Sequence, residues 1–533
     1  MLDVIIRGGT LFDGSGRGGS KLDLGVRNGQ VEVIGELDSA EAATVIDAEG
    51  LYVAPGFIDT HSHSDLRLLY GEPPDVKLTQ GVTTEVLGQD GLSVAPIVAR
   101  DVPLYRKLLA GLLGDPEIEW TWRSTAEYLD ALDNRQMPLN AAYLIPHGPI
   151  RSAVMGMEDR HAKTDELFRM RPILRQALDE GGVGFSTGLI YPPCSYADAQ
   201  ELIDLCRVAA SQDVPLVVHM RNEGIGLLQA IDEMLLVARE SGVHLHISHL
   251  KLFGKKVWDQ ASPMLQKLAA ARAEGVRITA DQYPYFAGCT ILTSVLPQWS
   301  LGGGTEALIA RLKDPDIRQK IKEWAKSPEN PRENRTASIG WENIVVSWVK
   351  SEQNKQFEGK SIAEISEIRG SDEIDTVCDL LLEENLAVTQ ISFYGTEETI
   401  TPIMSDPWVM FCTDGIYGGK PHPRLYGSFP RILGHYVREQ GILSMPEAIR
   451  KMTSLPAWTF HLERRGLLKP GYVADVTVFC PDSIIDNATF EHSSRLSTGV
   501  KWVLVNGTPV IEDGVYNGKT PGRAIRRVPG DSK

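Results

Sequence analysis

The chain has no Cys-x-x-Cys pair. Its six cysteines, Cys194, Cys206, Cys289, Cys378, Cys412 and Cys480, are scattered through 533 residues, which excludes a disulfide framework or a zinc finger and leaves buried thiols as their expected state. No apolar run is long enough to cross a bilayer. The opening Met1-Leu2-Asp3-Val4-Ile5-Ile6-Arg7-Gly8-Gly9 lacks the basic and sustained apolar regions of a secretory signal. A soluble cytoplasmic protein with no membrane partner is therefore expected. Positive charge is also in deficit: 54 Lys and Arg against 70 Asp and Glu give a net charge of -16 and a pI near 5.3. That field repels phosphate backbones, so nucleic acid is not an expected partner.

What remains is ordinary globular composition, 42% hydrophobic and 23% charged, in a chain long enough for one α/β barrel of about 250 residues plus appended structure. Residues 1–55 read as short alternating strands with Gly-rich turns, as in Gln30-Val31-Glu32-Val33-Ile34-Gly35. Residues 461–533 have the same texture, including Val500 to Val505 followed by an Asn506-Gly507 turn signal. The two ends are expected to form one small β-sandwich.

Between them, residues 56–460 alternate short apolar runs with helical stretches, the pattern of βαβ units. Eight apolar runs close on polar residues: His61, Asp90, His147, Thr187, His219, His249, Asp281 and Asp414. The spacings from Thr187 to Asp281 are 30 to 32 residues, about one βα unit each. The expected fold is α/β, a (β/α)8 TIM-type barrel. The interval from Asp281 to Asp414 is 133 residues, about 100 more than one unit needs. An insertion after strand 7, roughly residues 295–400, is expected to stand outside the barrel as a lid or subdomain.

The chemistry concentrates at the strand ends. His61 and His63 lie two apart at the end of Gly56-Phe57-Ile58-Asp59-Thr60, and residues i and i+2 of a strand point the same way. Two further runs close on His219 and His249, and another on Asp414. Barrel strand ends share the face where active sites are built. Four histidines and an aspartate there suit Zn2+, with nitrogen and oxygen ligands and an open position for water. His244 and His246 alternate with apolar positions and read as core residues.

These strings make the chain similar to the amidohydrolase superfamily, and within it to the D-aminoacylase (N-acyl-D-amino-acid deacylase) family. The resemblance runs through Gly81-Val82-Thr83-Thr84, Gly184-Phe185-Ser186-Thr187-Gly188-Leu189, His219-Met220-Arg221-Asn222-Glu223, Asp281-Gln282-Tyr283-Pro284-Tyr285 and Pro421-His422-Pro423-Arg424 to the terminal Gly466-Leu467-Leu468-Lys469-Pro470-Gly471. One departure stands out. Where the family carries a metal-binding cysteine in Gly-Asn-Cys-Gly, this chain has Gly88-Gln89-Asp90-Gly91, so Asp90 offers a carboxylate in place of a thiolate. The resemblance implies one or two Zn2+ ions, with Asp90 able to bridge them. It also implies that Tyr191, Lys251, Tyr283 and Arg424 hold the carboxylate of a small-molecule N-acyl amino acid.

The expected reaction is hydrolysis of an N-acyl-D-amino acid to a carboxylate and a free D-amino acid. Asp414 would take a proton from water and return it to the departing amine. Two rivals remain at this level: a cyclic-amide hydrolase of the hydantoinase or dihydroorotase kind, and a non-catalytic scaffold on the same fold. The first usually needs a lysine after the fourth strand, which Ser186-Thr187-Gly188-Leu189-Ile190-Tyr191 lacks. Five intact metal-ligand residue types argue against the second. His147, Arg151 and Arg221 lie near strand ends without a readable role. The sequence leaves a homo-oligomer and the side-chain preference open.

Overall fold

A computed structural model describes residues 1–71, 75–326 and 334–527. Residues 327–333 of the expected insertion and 528–533 of the expected terminal segment lie outside the described residues. Eight parallel strands run in sequence order: β1 (Phe57–Asp59), β2 (Val82–Leu87), β3 (Asn140–Pro146), β4 (Gly184–Gly188), β5 (Leu216–His219), β6 (Leu245–Ile247), β7 (Ile278–Gln282) and β8 (Val409–Phe411). The ring closes where Ser62 bridges Gly415 in parallel and Asp414 N–H donates to His61 O at 2.8 Å. The strands read as nearly continuous apolar runs because both faces are covered. Tyr143 and Ile145 of β3 join the core under the outer helices, while Ala142 and Leu144 join a separate cluster with Leu455 and Phe460. This alternation is that of a strand with neighbours on both sides.

Both chain ends contribute to one seven-stranded sheet, in which Tyr52–Pro55 pairs antiparallel with Val476–Phe479. A four-stranded sheet of N-terminal residues packs on it through Val4, Ile6, Leu24, Val53, Val476 and Val478. Ala524 and Ile525 leave this unit and pair with Ala141 and Ala142 of β3. A two-residue strand carries too little periodicity for the sequence to announce it.

The stretch between β7 and β8 holds a three-stranded antiparallel sheet, Ala287–Ile291, Ile344–Val349 and Val388–Phe393, with helices Gly304–Lys313, Pro315–Lys326, Ile362–Arg369 and Glu373–Glu383. Leu312, Ile321, Ile344, Ile365, Val377 and Val388 give it a core of its own. Its first strand begins at Ala287, ahead of the expected residue 295, directly after the short bend at residues 284–286 that follows β7. No described helix is long and apolar enough to cross a membrane.

Candidate metal centre and substrate cavity

The turns after β2, β6 and β8 are sharp. Gly88 takes φ 77° after β2, and a Cβ there would lie 2.2 Å from the Leu144 carbonyl oxygen, so the bend requires glycine. Asp90 follows at φ 58°, and His249 and Asp414 sit at φ 36° and 47°. Three site residues thus occupy left-handed backbone, the strain that surrounding structure holds in place at functional sites.

Asp90 is the hub. Its Oδ2 lies 3.7 Å from both His61 Nε2 and His63 Nε2, and its Oδ1 lies 3.9 Å from His219 Nδ1 and 3.8 Å from His249 Nε2. Asp414 Oδ1 lies 3.2 Å from His63 Nε2 and 3.7 Å from His61 Nε2. Donor atoms of His61, His63 and Asp90, of His61, His249 and Asp414, and of Asp90, His219 and His249 form three compact groups. All six residues are buried, yet both ring nitrogens of His61 and His219 and the Asp90 Oδ1 have no hydrogen-bond partner. Buried polar atoms left in this way demand another partner. Apart from the 3.2 Å His63 to Asp414 contact, separations of 3.7–3.9 Å are too long for hydrogen bonds but suit ligands sharing a cation bound at about 2.0–2.2 Å. The donor set therefore fits Zn2+, with one Asp90 oxygen toward each histidine pair. Burial opposes ionisation of Asp90, but His61, His219 and His249 hold its carboxyl well below the usual range. Burial, helped by His249 and Lys251, outweighs Glu223 and Asp90 and pulls His219 down to about 3, favouring the neutral, ligating imidazole.

Glu223 stands behind this centre. Its Oε1 lies 3.1 Å from His249 Nδ1 and its Oε2 lies 3.7 Å from His219 Nε2, on the ring atoms facing away from Asp90. The carboxylate is within hydrogen-bond reach of His249 only, as acidic partners of metal-ligating histidines are, and stands near His219 as a charge. The signal in the sequence was its place four residues after His219, on the loop leaving β5.

The candidate clamp residues all line one cavity of about 380 Å3 with His63, Asp90 and Asp414, but each has a partner within the protein. Arg424 Nη1 forms a salt bridge with Asp414 Oδ2 at 2.8 Å, Nη2 donates to the Cys289 carbonyl, and Nε has no partner. Lys251 pairs with Glu223 and lies 2.6 Å from His249 Nδ1. Tyr283 O–H receives a hydrogen bond from Tyr394 at 3.0 Å, and its ring lies under Arg424 at 4.3 Å. Tyr191 is tied to Thr290 Oγ1 at 2.7 Å. Asp414 is held well below the usual carboxylate range: burial opposes its charge, and Arg424 and His61 outweigh that.

Other candidates lie away from the cavity. His147 and Arg151 share Glu201 at 2.9 Å each, and Arg221 pairs with Glu233. His246 bonds Asp281 and Thr279, and His244 bonds Thr279, so both are satisfied core residues. Asp281 lies behind the site, accepting from Thr60 Oγ1 and from the His249 backbone N–H. The cavity wall adds residues the sequence did not single out: Phe253, Arg335, Gln390, Ser392 and Tyr394. Four of these come from the insertion or its flank, so no strand-end pattern marks them.

Residues 44–511 match the amidohydrolase family. Over 98% of both chains, the protein is 34% identical to a D-aminoacylase of Alcaligenes xylosoxydans xylosoxydans. It is also 34% identical to an N-acyl-D-glutamate deacylase of the same organism, covering 99% of this chain and 97% of the relative. The crystal structure of N-acyl-D-glutamate deacylase from Bordetella bronchiseptica, complexed with zinc and a phosphonate mimic of the tetrahedral intermediate, superposes with a TM-score of 0.85 at 34% identity, over 99% of this chain and 100% of that one. The chain belongs to the amidohydrolase family and, within it, to the D-aminoacylase (N-acyl-D-amino-acid deacylase) family.

Proposed function

We propose that this protein is a zinc-dependent, cytoplasmic hydrolase that cleaves the N-acyl amide bond of N-acyl-D-amino acids. The observation that carries this reading is the Asp90 carboxylate, buried between two histidine pairs with one oxygen toward each, in a cavity that also contains Asp414, Arg424 and Lys251. Full-length relatives act on N-acyl-D-amino acids by name, and one was crystallised with zinc.

His61, His63, Asp90, His219, His249 and Asp414 would hold one or two ions. Bound Zn2+ supplies a Lewis acid that polarises the acyl carbonyl and makes water nucleophilic near neutral pH. Asp414, kept ionised by Arg424, accepts the proton of the attacking water and returns it to the amide nitrogen, which leaves only as an amine. Arg424 and Lys251, with the Tyr283 hydroxyl, bind the substrate carboxylate by charge-assisted hydrogen bonds. Tyr191 closes the wall beside His219. The burial of these groups keeps bulk water from competing for their hydrogen bonds. The described parts of residues 1–55 and 461–533, apart from the Ala524–Ile525 strand, serve as a β-sandwich flanking the 56–460 catalytic unit, and the described part of residues 295–400 contributes Arg335, Gln390, Ser392 and Tyr394 to the cavity wall.

The cyclic-amide alternative lacks its lysine, since β4 ends in Ser186, Thr187 and Gly188. The test is a hydrolysis panel of N-acetyl-D- and N-acetyl-L-amino acids with metal content measured on the same sample. Release of free amino acid from the D series alone is expected. Equal rates for both enantiomers, or activity confined to dihydrouracil-like rings, would refute the reading.

A further inference from the structure

A second cavity, of about 560 Å3, lies against the first, and the two share Tyr191 as a lining residue. Its walls include Leu92, Leu108, Ile190, Ile291, Leu301 and Leu308, with no charged side chain among the described lining residues. The partition is thin. The Tyr191 ring meets His219 edge-on at 5.2 Å, and its hydroxyl pairs with Thr290 Oγ1. Thr290 lines the metal-centre cavity and the next residue, Ile291, lines the apolar chamber, as successive residues of one strand do. Leu92, two positions beyond Asp90, forms part of the same chamber wall.

An N-acyl amino acid has two ends. Its carboxylate and side chain belong to the amine half, whereas the acyl chain leaves the carbonyl in the other direction. In a substrate with its carboxylate at Arg424 and Lys251 and its carbonyl at the histidine centre, the acyl end would be the part left to meet Tyr191, which stands edge-on to His219 and lines both cavities. A chamber without cations offers nothing to a charged side chain and favours hydrocarbon. We infer that the chamber behind Tyr191 receives the aliphatic chain of the acyl group, and that the preferred substrates carry medium-length acyl chains rather than acetyl.

This inference rests on the deacylase reading. Its test is a series of acetyl, butanoyl, hexanoyl and octanoyl derivatives of whichever D-amino acid is best cleaved as the acetyl compound. Burial of methylenes is worth about fourfold each, so kcat/KM should rise at least 10-fold from acetyl to octanoyl. Leu308→Trp and Ile291→Phe, which fill the chamber, should each lower the octanoyl-to-acetyl ratio at least 10-fold. If Leu308→Trp does not fold by circular dichroism, Ile291→Phe decides. A flat wild-type profile with intact acetyl cleavage, or filled variants that keep the wild-type ratio, would overturn the inference. So would filled variants that shift preference among D side chains instead. Absence of cleavage at every chain length would remove the deacylase reading itself, a result distinct from a flat profile.

Discussion

Arg424 places Nη1 2.8 Å from Asp414 Oδ2, so the arginine expected to bind the substrate carboxylate also holds the candidate base. The sequence allotted these residues separate tasks. Their pairing makes the base's ionisation depend on the clamp.

Arg424→Ala should therefore both raise KM and lower kcat. Loss of one charge-assisted hydrogen bond is worth about 1.5–3 kcal/mol, on the order of 10- to 150-fold in kcat/KM. The wild type should cleave the C-terminal amide of its best substrate far more slowly than the acid, and Arg424→Ala should narrow that gap. An amide cleaved as fast as the acid by the wild type would show that no carboxylate clamp operates.

Asp414→Asn keeps the shape and one oxygen but removes the proton acceptor. The variant should fold, retain the ion held by Asp90, His219 and His249, and lose roughly 100-fold or more in kcat. Turnover near wild type in a metal-replete Asp414→Asn sample would place the proton elsewhere. His147, fixed on Glu201 and outside the cavity, is a poor replacement.

Asp90 separates two metal models. Asp90→Ala should lose metal, read by elemental analysis, because both histidine pairs lose their shared carboxylate. Asp90→Cys should retain at least one ion, since thiolate is a strong Zn2+ ligand. Unchanged metal content in Asp90→Ala would remove Asp90 from the ligand set.

Beneath the centre, Lys77 is fully buried and lies 2.6 Å from both Asp59 Oδ2 and Glu85 Oε1, with Ser62 and Thr413 hydroxyls at 2.9 Å. These groups tie β1 to the segment after β8, where the barrel closes. Lys77→Met would strand two carboxylates without a cation, which typically costs about 3–5 kcal/mol. A urea unfolding midpoint equal to the wild type's would show that the lysine is dispensable.

Asp281 predicts one component of acid sensitivity. Burial raises its carboxyl, but hydrogen bonds with His246 and the His249 backbone, together with nearby charge, bring it down to about 2 from 3.8. A depressed carboxylate contributes stability that is present above the unfolded value and lost as pH falls toward the folded one. The contribution, about 2 kcal/mol, should disappear between about pH 4 and 2. Asp281→Asn should be less stable at neutral pH and should show a shallower fall in unfolding free energy across that window. An identical slope would assign the acid sensitivity to other groups.

The sequence by itself determined the repeating βα order, because apolar runs spaced 30 to 32 residues apart encode one strand and one helix each. It also predicted that His61 and His63 turn to one side, since residues i and i+2 of an extended chain do, and both Nε2 atoms, just beyond β1, lie 3.7 Å from Asp90 Oδ2. The same local logic placed His219, His249 and Asp414 on one barrel face. Tertiary structure alone decided that Asp90 turns one oxygen to each histidine pair, that Glu223 backs both His219 and His249, and that Arg424 engages Asp414. It alone built the Tyr191 to Thr290 partition from residues 99 positions apart. Sequence periodicity records which way a side chain points from its own strand or helix. Which distant side chain it meets depends on ring closure at Ser62 and Gly415 and on the inserted sheet folding back over the strand ends, and no local pattern carries that information.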